Sequence, residues 1–439
     1  MQFLNLTECY NACLSLRFYY WCMILCLFSN LNLTVCAAND GIMVSISQSD
    51  PAYFTMAPPN PCSGPTLLDT LRTKLTREEL GLVVNPLESD PQIDQLALQL
   101  TLGATDEQAK ARLLFKSLAS YAEKDKGGTE GTMRTARQVF AAWNNPKARL
   151  YCKDYALFYV VLARAAGITA YEVDVQEEAD GQKVPHACAA VFFGQRCLLV
   201  DAAYMRFGIS HKRFRILSDV QSIAMYMSQL PGMEASEIAC KLAPDLALVQ
   251  LNHFEKLILY DRMSDARELL PVIKHLNISP ASECYEEGSL ALSECKPDIA
   301  IKLLLKAIEI NPHEATYHHR LALAYAEEGN VTNMVASLEK ALQCPVTASE
   351  ADDIRKCINN ANIVAADFCY RYGYQMQIGG NLNEALRGYE KAISLKPPFA
   401  EAYFARGTVR QLKGNAAGAA EDYNRAVQLN PELRSRLGR

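Results

Sequence analysis

Residues 150–157, Leu150-Tyr151-Cys152-Lys153-Asp154-Tyr155-Ala156-Leu157, and the run that follows them to Arg164-Ala165-Ala166-Gly167-Ile168, decide the reading of the first half of the chain. A cysteine opens an apolar stretch long enough for a helix. Gly167 suits its C-terminus, because glycine takes left-handed backbone without a steric penalty. Ile168-Thr169-Ala170-Tyr171-Glu172-Val173-Asp174-Val175 then alternates with strand period. Beyond it the chain predicts a strand from His186 to Phe193, a Gly194-Gln195 hairpin turn, and a return strand from Arg196 to Asp201. A two-residue turn at 194 and 195 sets a register in which paired numbers sum to 389, so Cys188 faces Asp201. That places His186 within about one residue pair of Asp201 along the ladder. Cys152, His186 and Asp201 are side chains that can make a thiolate nucleophile, its base and the group that orients the base. Only the fold can bring the cysteine to the other two.

The chemistry accounts for the residue types. Partial positive charge at a helix N-terminus favours a thiolate there, and a histidine near neutrality can take and return the proton. The backbone N–H of Cys152 would supply one oxyanion donor, and Gln138, Trp143 and Asn144 are the candidates for a second. These stretches resemble the transglutaminase-like core, a branch of the papain-like cysteine enzymes. The likeness runs roughly from Leu67 to Gln229. It takes in the lead-in helix Ala104-Thr105-Asp106-Glu107-Gln108-Ala109-Lys110-Ala111 and the segment Thr135-Ala136-Arg137-Gln138-Val139-Phe140. It is strongest over Cys152, Asp154, Tyr155 and Ala156. The resemblance implies an α+β papain-like domain with Cys152 as nucleophile, His186 as base and Asp201 as orienter. Three positions depart from the family's habit. Leu150 stands where a glycine is common, Cys188 where a tryptophan is common, and Ala202 where a proline is common. Each bears on cleft shape, and none removes a catalytic group.

At 439 residues the chain has room for two or three domains, each with its own core. A formal net charge of −5, with no basic stripe interleaved with aromatics, gives no reason to expect a nucleic acid partner. Of 15 cysteines, five (Cys9, Cys13, Cys22, Cys26 and Cys36) precede residue 37. The rest show neither CxxC pairs nor zinc spacing, so no metal and no cofactor is expected. Residues 1–38 resemble a targeting segment. Arg17 precedes the apolar run Phe18 to Phe28, and Val35-Cys36-Ala37 reads as a small-residue cleavage site. The expectation is export to a periplasm or the outside, with a retained membrane anchor as the alternative. Residues 39–66, with Pro51, Pro58, Pro59, Pro61 and Pro65, read as a linker, and 67–246 as the enzyme-like domain.

The C-terminal half repeats with a period of 34: Gly373, Ala385, Tyr389, Ala392 and Pro397 recur as Gly407, Ala419, Tyr423, Ala426 and Pro431. The same frame gives Gly288, Ala300, Leu304, Ala307 and Pro312 earlier, then Ala322, Gly329, Leu338 and Ala341. Small residues would let two antiparallel helices approach, the large residue would fill the gap, and proline would end the second helix. This pattern resembles the tetratricopeptide repeat, which implies an all-α solenoid. Five units are expected over 247–433, the first degenerate through Ala266, Leu270 and Ile273. An insertion near 349–365 should extend the first helix of the fourth unit backwards. Residues 434–439 form a tail too short to cap the array, which would leave an apolar face for a partner or a second copy. His318 and His319 should face solvent.

Together these features predict an exported cysteine enzyme that acts on amide bonds by acyl transfer, hydrolysis ahead of crosslinking, with a repeat array that binds a protein or peptide. Membrane contact would come only through the N-terminal segment. The rival is a scaffold in which both domains bind and neither catalyses.

Overall fold

The computed structural model describes residues 34–38, 41–45, 53–59, 65–122, 133–143, 145, 148, 150–181, 186–276, 278–344, 346 and 348–436. The chain divides into two compact units at Arg262/Met263, with the short stretch at His275 counted to the first. In the first unit the strands are β1 (Thr34–Ala38), β2 (Gly41–Ser45), β3 (Phe54–Thr55), β4 (Thr169–Glu177), β5 (His186–Phe193), β6 (Arg196–Asp201), β7 (Arg206–Phe207) and β8 (Arg213–Ile216). They form one antiparallel sheet in the order β1-β2-β8-β4-β5-β6-β3, with β7 on β6. The β5–β6 hairpin pairs Ala189 with Val200 and Phe193 with Arg196, the register set by the Gly194-Gln195 turn. The helices are α1 (Pro65–Lys74), α2 (Arg77–Leu80), α3 (Pro91–Leu100), α4 (Glu107–Ala122), α5 (Ala136–Trp143), α6 (Cys152–Ala165), α7 (Asp219–Gln229), α8 (Met233–Leu242) and α9 (Ala247–Leu259).

Alternation along β5 and β6 separates two cores. Ala189, Val191, Leu198 and Val200 join α6 and the inner faces of α3 and α4 (Ile93, Ala97, Leu114 and Leu118). Cys188, Ala190, Phe192, Cys197 and Leu199 join Phe54, Phe214 and Ile216 in a second cluster. Helix α6 is buried from Asp154 to Ala163, so it is apolar all round rather than on one stripe. Its C-terminus ends as the sequence suggests: Gly167 has φ +86°, and the Ile168 N–H returns to the Ala163 carbonyl at 2.8 Å. Arg164 then clamps α6 to the start of α7 through two bonds to Asp219, at 2.7 and 3.0 Å. No helix among the described residues is long and apolar enough to cross a membrane.

Two expectations about boundaries need correction, and a third lies mostly outside the described residues. Residues 39–66 are not only a linker, because β2 and β3 lie within them and pair with β8 and β6. Proline and serine suppress the helical signal there but do not prevent short edge strands. Of the targeting segment, only β1 is described; the apolar run Phe18 to Phe28 lies outside the described residues. Helix α9, read from sequence as the opening of the first repeat, belongs to the first unit, where Val249 joins Ile223, Ile238 and Leu242 in one core.

The second unit comprises α10 (Met263–His275), α11 (Pro280–Ser293), α12 (Pro297–Ile310), α13 (Ala315–Glu327), α14 (Val331–Gln343), α15 (Ala348–Asn359), α16 (Ala361–Ile378), α17 (Leu382–Leu395), α18 (Ala400–Leu412) and α19 (Ala416–Leu429), closed by a 3-10 turn at Pro431–Arg436. Helices pair as α11/α12, α13/α14, α16/α17 and α18/α19. The small residues do what their spacing implies. A Cβ on Gly373 would sit 2.9 Å from the Tyr389 ring, and one on Gly288 would sit 2.9 Å from Leu304. The insertion is helical, but it is the separate helix α15, broken from α16 at Asn360 rather than continuous with it. At the end of the array Leu433 of the 3-10 turn is buried with Ala400 and Ala426. His318 and His319 do not face solvent, at 8% and 4% exposed. Helix α13 is covered on nearly every side, and the His318 ring meets the Pro312 carbonyl at 2.9 Å.

Candidate functional site

Cys152 is the first residue of α6 and is half-buried, so its sulfur sits where helix start and solvent meet. Tyr151 at the N-cap gives no side-chain cap bond. The work of ordering this end falls to Asp154, whose carboxylate accepts from the Tyr151 N–H at 3.0 Å and from Arg134 at 2.5 Å. Burial raises the Asp154 carboxyl above its usual range even with Arg134 beside it.

Asp201 closes β6 and His186 opens β5. The hairpin register brings their side chains together, with His186 Nε2 2.5 Å from Asp201 Oδ2. Asp201 is fully buried and His186 is 5% exposed. Burial alone would pull the imidazole down. The Asp201 charge and hydrogen bond outweigh it, joined by a hydrogen bond and charge interaction with Cys152, and the ring is held protonated well above its ordinary value. Conversely, burial would raise Asp201, but the His186 charge and the bonds it accepts hold it low. The imidazole and carboxylate are hydrogen-bonded to each other, and Cys152 lies near enough to the ring to act on it. With Nε2 engaged by Asp201, Nδ1 is the nitrogen left to face the sulfur. Cys188 on the same strand is a different case. It is fully buried, and burial plus the Asp201 charge push its thiol well up, so it stays a protonated hydrophobe.

Two residues that sequence reasoning missed complete the surroundings. Tyr204 stacks flat on His186, with ring centroids 4.2 Å apart and planes 6° apart. Its backbone N–H donates to Asp201 Oδ1 at 2.9 Å, and its hydroxyl donates to Glu178 at 2.8 Å. An Asp three residues before a tyrosine is an ordinary turn signal, readable as a turn but not as a ring cover. His211, fully buried, places Nε2 3.6 Å from Asp201 Oδ2, with its ring 5.6 Å from that of His186. No spacing rule points to a lone histidine ten residues after the aspartate. Among the described residues, His186, Asp201 and His211 are the one group whose donor atoms lie close enough to hold a metal ion, within 4.8 Å of one another. The His186–Asp201 hydrogen bond would have to open to admit one.

The expected second oxyanion donors are placed differently. Gln138 is exposed on α5, and its Oε1 accepts from the Thr135 N–H at 2.8 Å, capping its own helix. The Trp143 ring stacks on Tyr121 at 4.4 Å and leans on Phe158, a packing role. Asn144 lies outside the described residues. The three positions of departure, Leu150, Cys188 and Ala202, are all buried core residues.

A helix-borne cysteine set against a β-hairpin that carries histidine and aspartate defines the class: an α+β papain-like fold joined to a helical repeat array. Comparison with known proteins gives the same division. The transglutaminase-like superfamily matches residues 94–202, and tetratricopeptide repeats match 315–343 and 379–433, so this chain carries a transglutaminase-like core followed by tetratricopeptide repeats. Tetratricopeptide repeat protein 36 of Mus musculus is 45% identical over 58 residues, 13% of this chain and 31% of that protein. The Homo sapiens protein of the same name is 47% identical over 51 residues, 12% of this chain and 27% of that protein. The chain thus spans less than a third of the length of these relatives. Among solved structures, YrrB, described as a TPR protein with an unusual peptide-binding site, covers 50% of this chain and 89% of its own at 15% identity and TM-score 0.23. MamA covers 42% and 96% at 20% identity and TM-score 0.21.

Proposed function

We propose that the first unit is a cysteine acyl-transfer enzyme acting on amide bonds, and that the repeat unit binds the protein that carries or delivers the substrate. The observation that supports it best is the hydrogen-bonded His186–Asp201 pair with the half-buried Cys152 near enough to act on the imidazole. In this reading the Cys152 thiolate adds to the amide carbonyl, and the oxyanion rests on the Cys152 backbone N–H. The C–N bond then breaks as His186 hands its proton to the leaving amine. A thioester remains on Cys152. Water activated by His186 resolves it, which gives hydrolysis of a peptide or isopeptide bond; an incoming amine would give crosslinking instead. Hydrolysis is the reading we favour, since it needs no second binding site. Tetratricopeptide repeats mediate protein–protein contacts as a class, which supports a polypeptide partner. Export remains part of the proposal and rests on the apolar run after Arg17.

Alkylation by iodoacetamide across pH 5–10, followed by peptide mapping, tests the chemistry. Cys152 should react faster than free cysteine at pH 6, and Cys152→Ala should abolish that fast phase. His186→Ala should slow it by about 100-fold. A Cys152 no more reactive than an ordinary thiol would return the first unit to the scaffold reading.

A further inference from the structure

Within the repeat unit the turns joining α11 to α12 and α13 to α14 face α17 across a cavity of about 1070 Å³. That volume is at the upper end of small-ligand sites and far larger than an ion requires. Its acidic groups are short of partners. Glu327 is among the residues lining the cavity, and its Oε2 is buried with no hydrogen-bond partner among the described residues. Burial pushes this carboxyl up to about 8, against the lowering charge of Arg371. Beside it, burial and a hydrogen bond with Asp298 raise the Glu328 carboxyl. Two carboxyls can bond to each other only through a shared proton.

Of the three basic side chains lining the cavity, two pair with carboxylates outside it and the third, Lys391, stays at its wall. Lys296 pairs with Glu294 at 2.6 Å, Arg387 pairs with Glu384 at 2.7 Å, and Lys391 donates to the Glu328 carbonyl. A metal ion fits poorly, because these three carboxyls are not among the donors clustered closely enough to hold one. A long cationic side chain fits both the charge and the volume. We propose that this cavity receives a lysine or arginine side chain of a partner polypeptide, with Glu327 as its counter-ion and Asp298 and Glu328 flanking it. The site is independent of Cys152 and stands whether or not the first unit is an enzyme.

Occupation must drive protons off, since Glu327 and the Asp298–Glu328 pair would ionise against the incoming cation. The groups that act on Glu327 are Arg371 and Cys369 on α16, and those that act on Glu328 are Asp298 on α12 and Lys391 on α17. The test is isothermal titration of the full chain at pH 7 with acetyl-Gly-Arg-Gly-amide, its lysine analogue and its citrulline analogue. Two buffers of different ionisation enthalpy are used. The expected result is that the arginine or lysine peptide binds at least tenfold more tightly than the citrulline peptide and releases protons. Glu327→Gln should remove that preference without changing the melting temperature by more than a few degrees. Should that variant fail to fold, Asp298→Asn, at the start of α12, should weaken the cationic peptides about threefold or more. Equal binding of the citrulline peptide, no binding of any peptide at millimolar concentration, or full preference retained in the folded variants would overturn the assignment.

Discussion

A buried imidazole normally loses its proton, because low-dielectric surroundings penalise the charged ring. His186 does the opposite, and Asp201 is the first reason. The sign for stability follows. A histidine whose folded pKa is raised contributes stability that is fully present below its unfolded value, about 6.5, and is lost as pH rises through the folded value. The same charge keeps the Cys152 sulfur facing a cation through neutrality. Asp201→Asn should therefore free His186 to deprotonate near or below neutrality. The proposed amide turnover at pH 7 should fall at least about 100-fold, and the Cys152 alkylation profile should move to higher pH. An unchanged alkylation profile would mean that Asp201 does not control the ring. At this scale the His186–Asp201 pair was legible because a two-residue turn dictates register, and register dictates which side chains meet. Tyr204 and His211 were not legible. One contributes a face rather than a functional group, and the other is a lone histidine whose position depends on the path of the chain after β7.

Single elements show where spacing arguments succeed and where they stop. The 34-residue frame marked small residues at helix crossings, and the crossings are there. Gly388, on α17, was not part of that frame, yet a Cβ on it would lie 2.7 Å from the Gly373 Cα and 2.9 Å from the Cys369 carbonyl. Two effects oppose each other at this position. Alanine is favoured over glycine inside a helix by about 1 kcal/mol. The clash is with backbone, which cannot swing away as a side chain can, and overpacking of this kind costs about 1–3 kcal/mol. Gly388→Ala should therefore destabilise the repeat unit, by up to about 2 kcal/mol, in urea unfolding. Gly379→Ala, whose added Cβ meets nothing closer than 3.4 Å, should be close to neutral. Equal effects at the two sites would show that the α16/α17 crossing is looser than drawn. The insertion was legible as helix but not as a separate helix. Asn360 has a backbone conformation outside the helical basin (φ −112°, ψ 22°), which composition alone does not specify.

For the whole chain, the sequence supported two units but misplaced their frontier, for a physical reason. An apolar helix carries the same periodicity whether it opens a repeat or closes a neighbouring domain, so α9 could be assigned to either. Its contacts assign it to the first unit. Asn252 donates to the Ser228 hydroxyl at 2.9 Å, the His253 ring meets the Ser236 hydroxyl at 2.9 Å, and Lys256 donates to the Leu230 carbonyl. Val249, Phe254 and Leu257 on this helix are at most 1% exposed. Burying side chains of this size stabilises by about 1.5–3 kcal/mol each, and ordering the helix consumes part of that gain. A chain ended after Leu246 should accordingly be less stable than one ended after Arg262 by about 3 kcal/mol or more. In a domain of this size that corresponds to a melting temperature lower by roughly 6–12 °C. Differential scanning calorimetry of the two truncations decides it. Equal melting temperatures would return α9 to the repeats, whereas the expected gap would fix the end of the enzyme-like unit beyond Leu259 and leave the array to begin with α10.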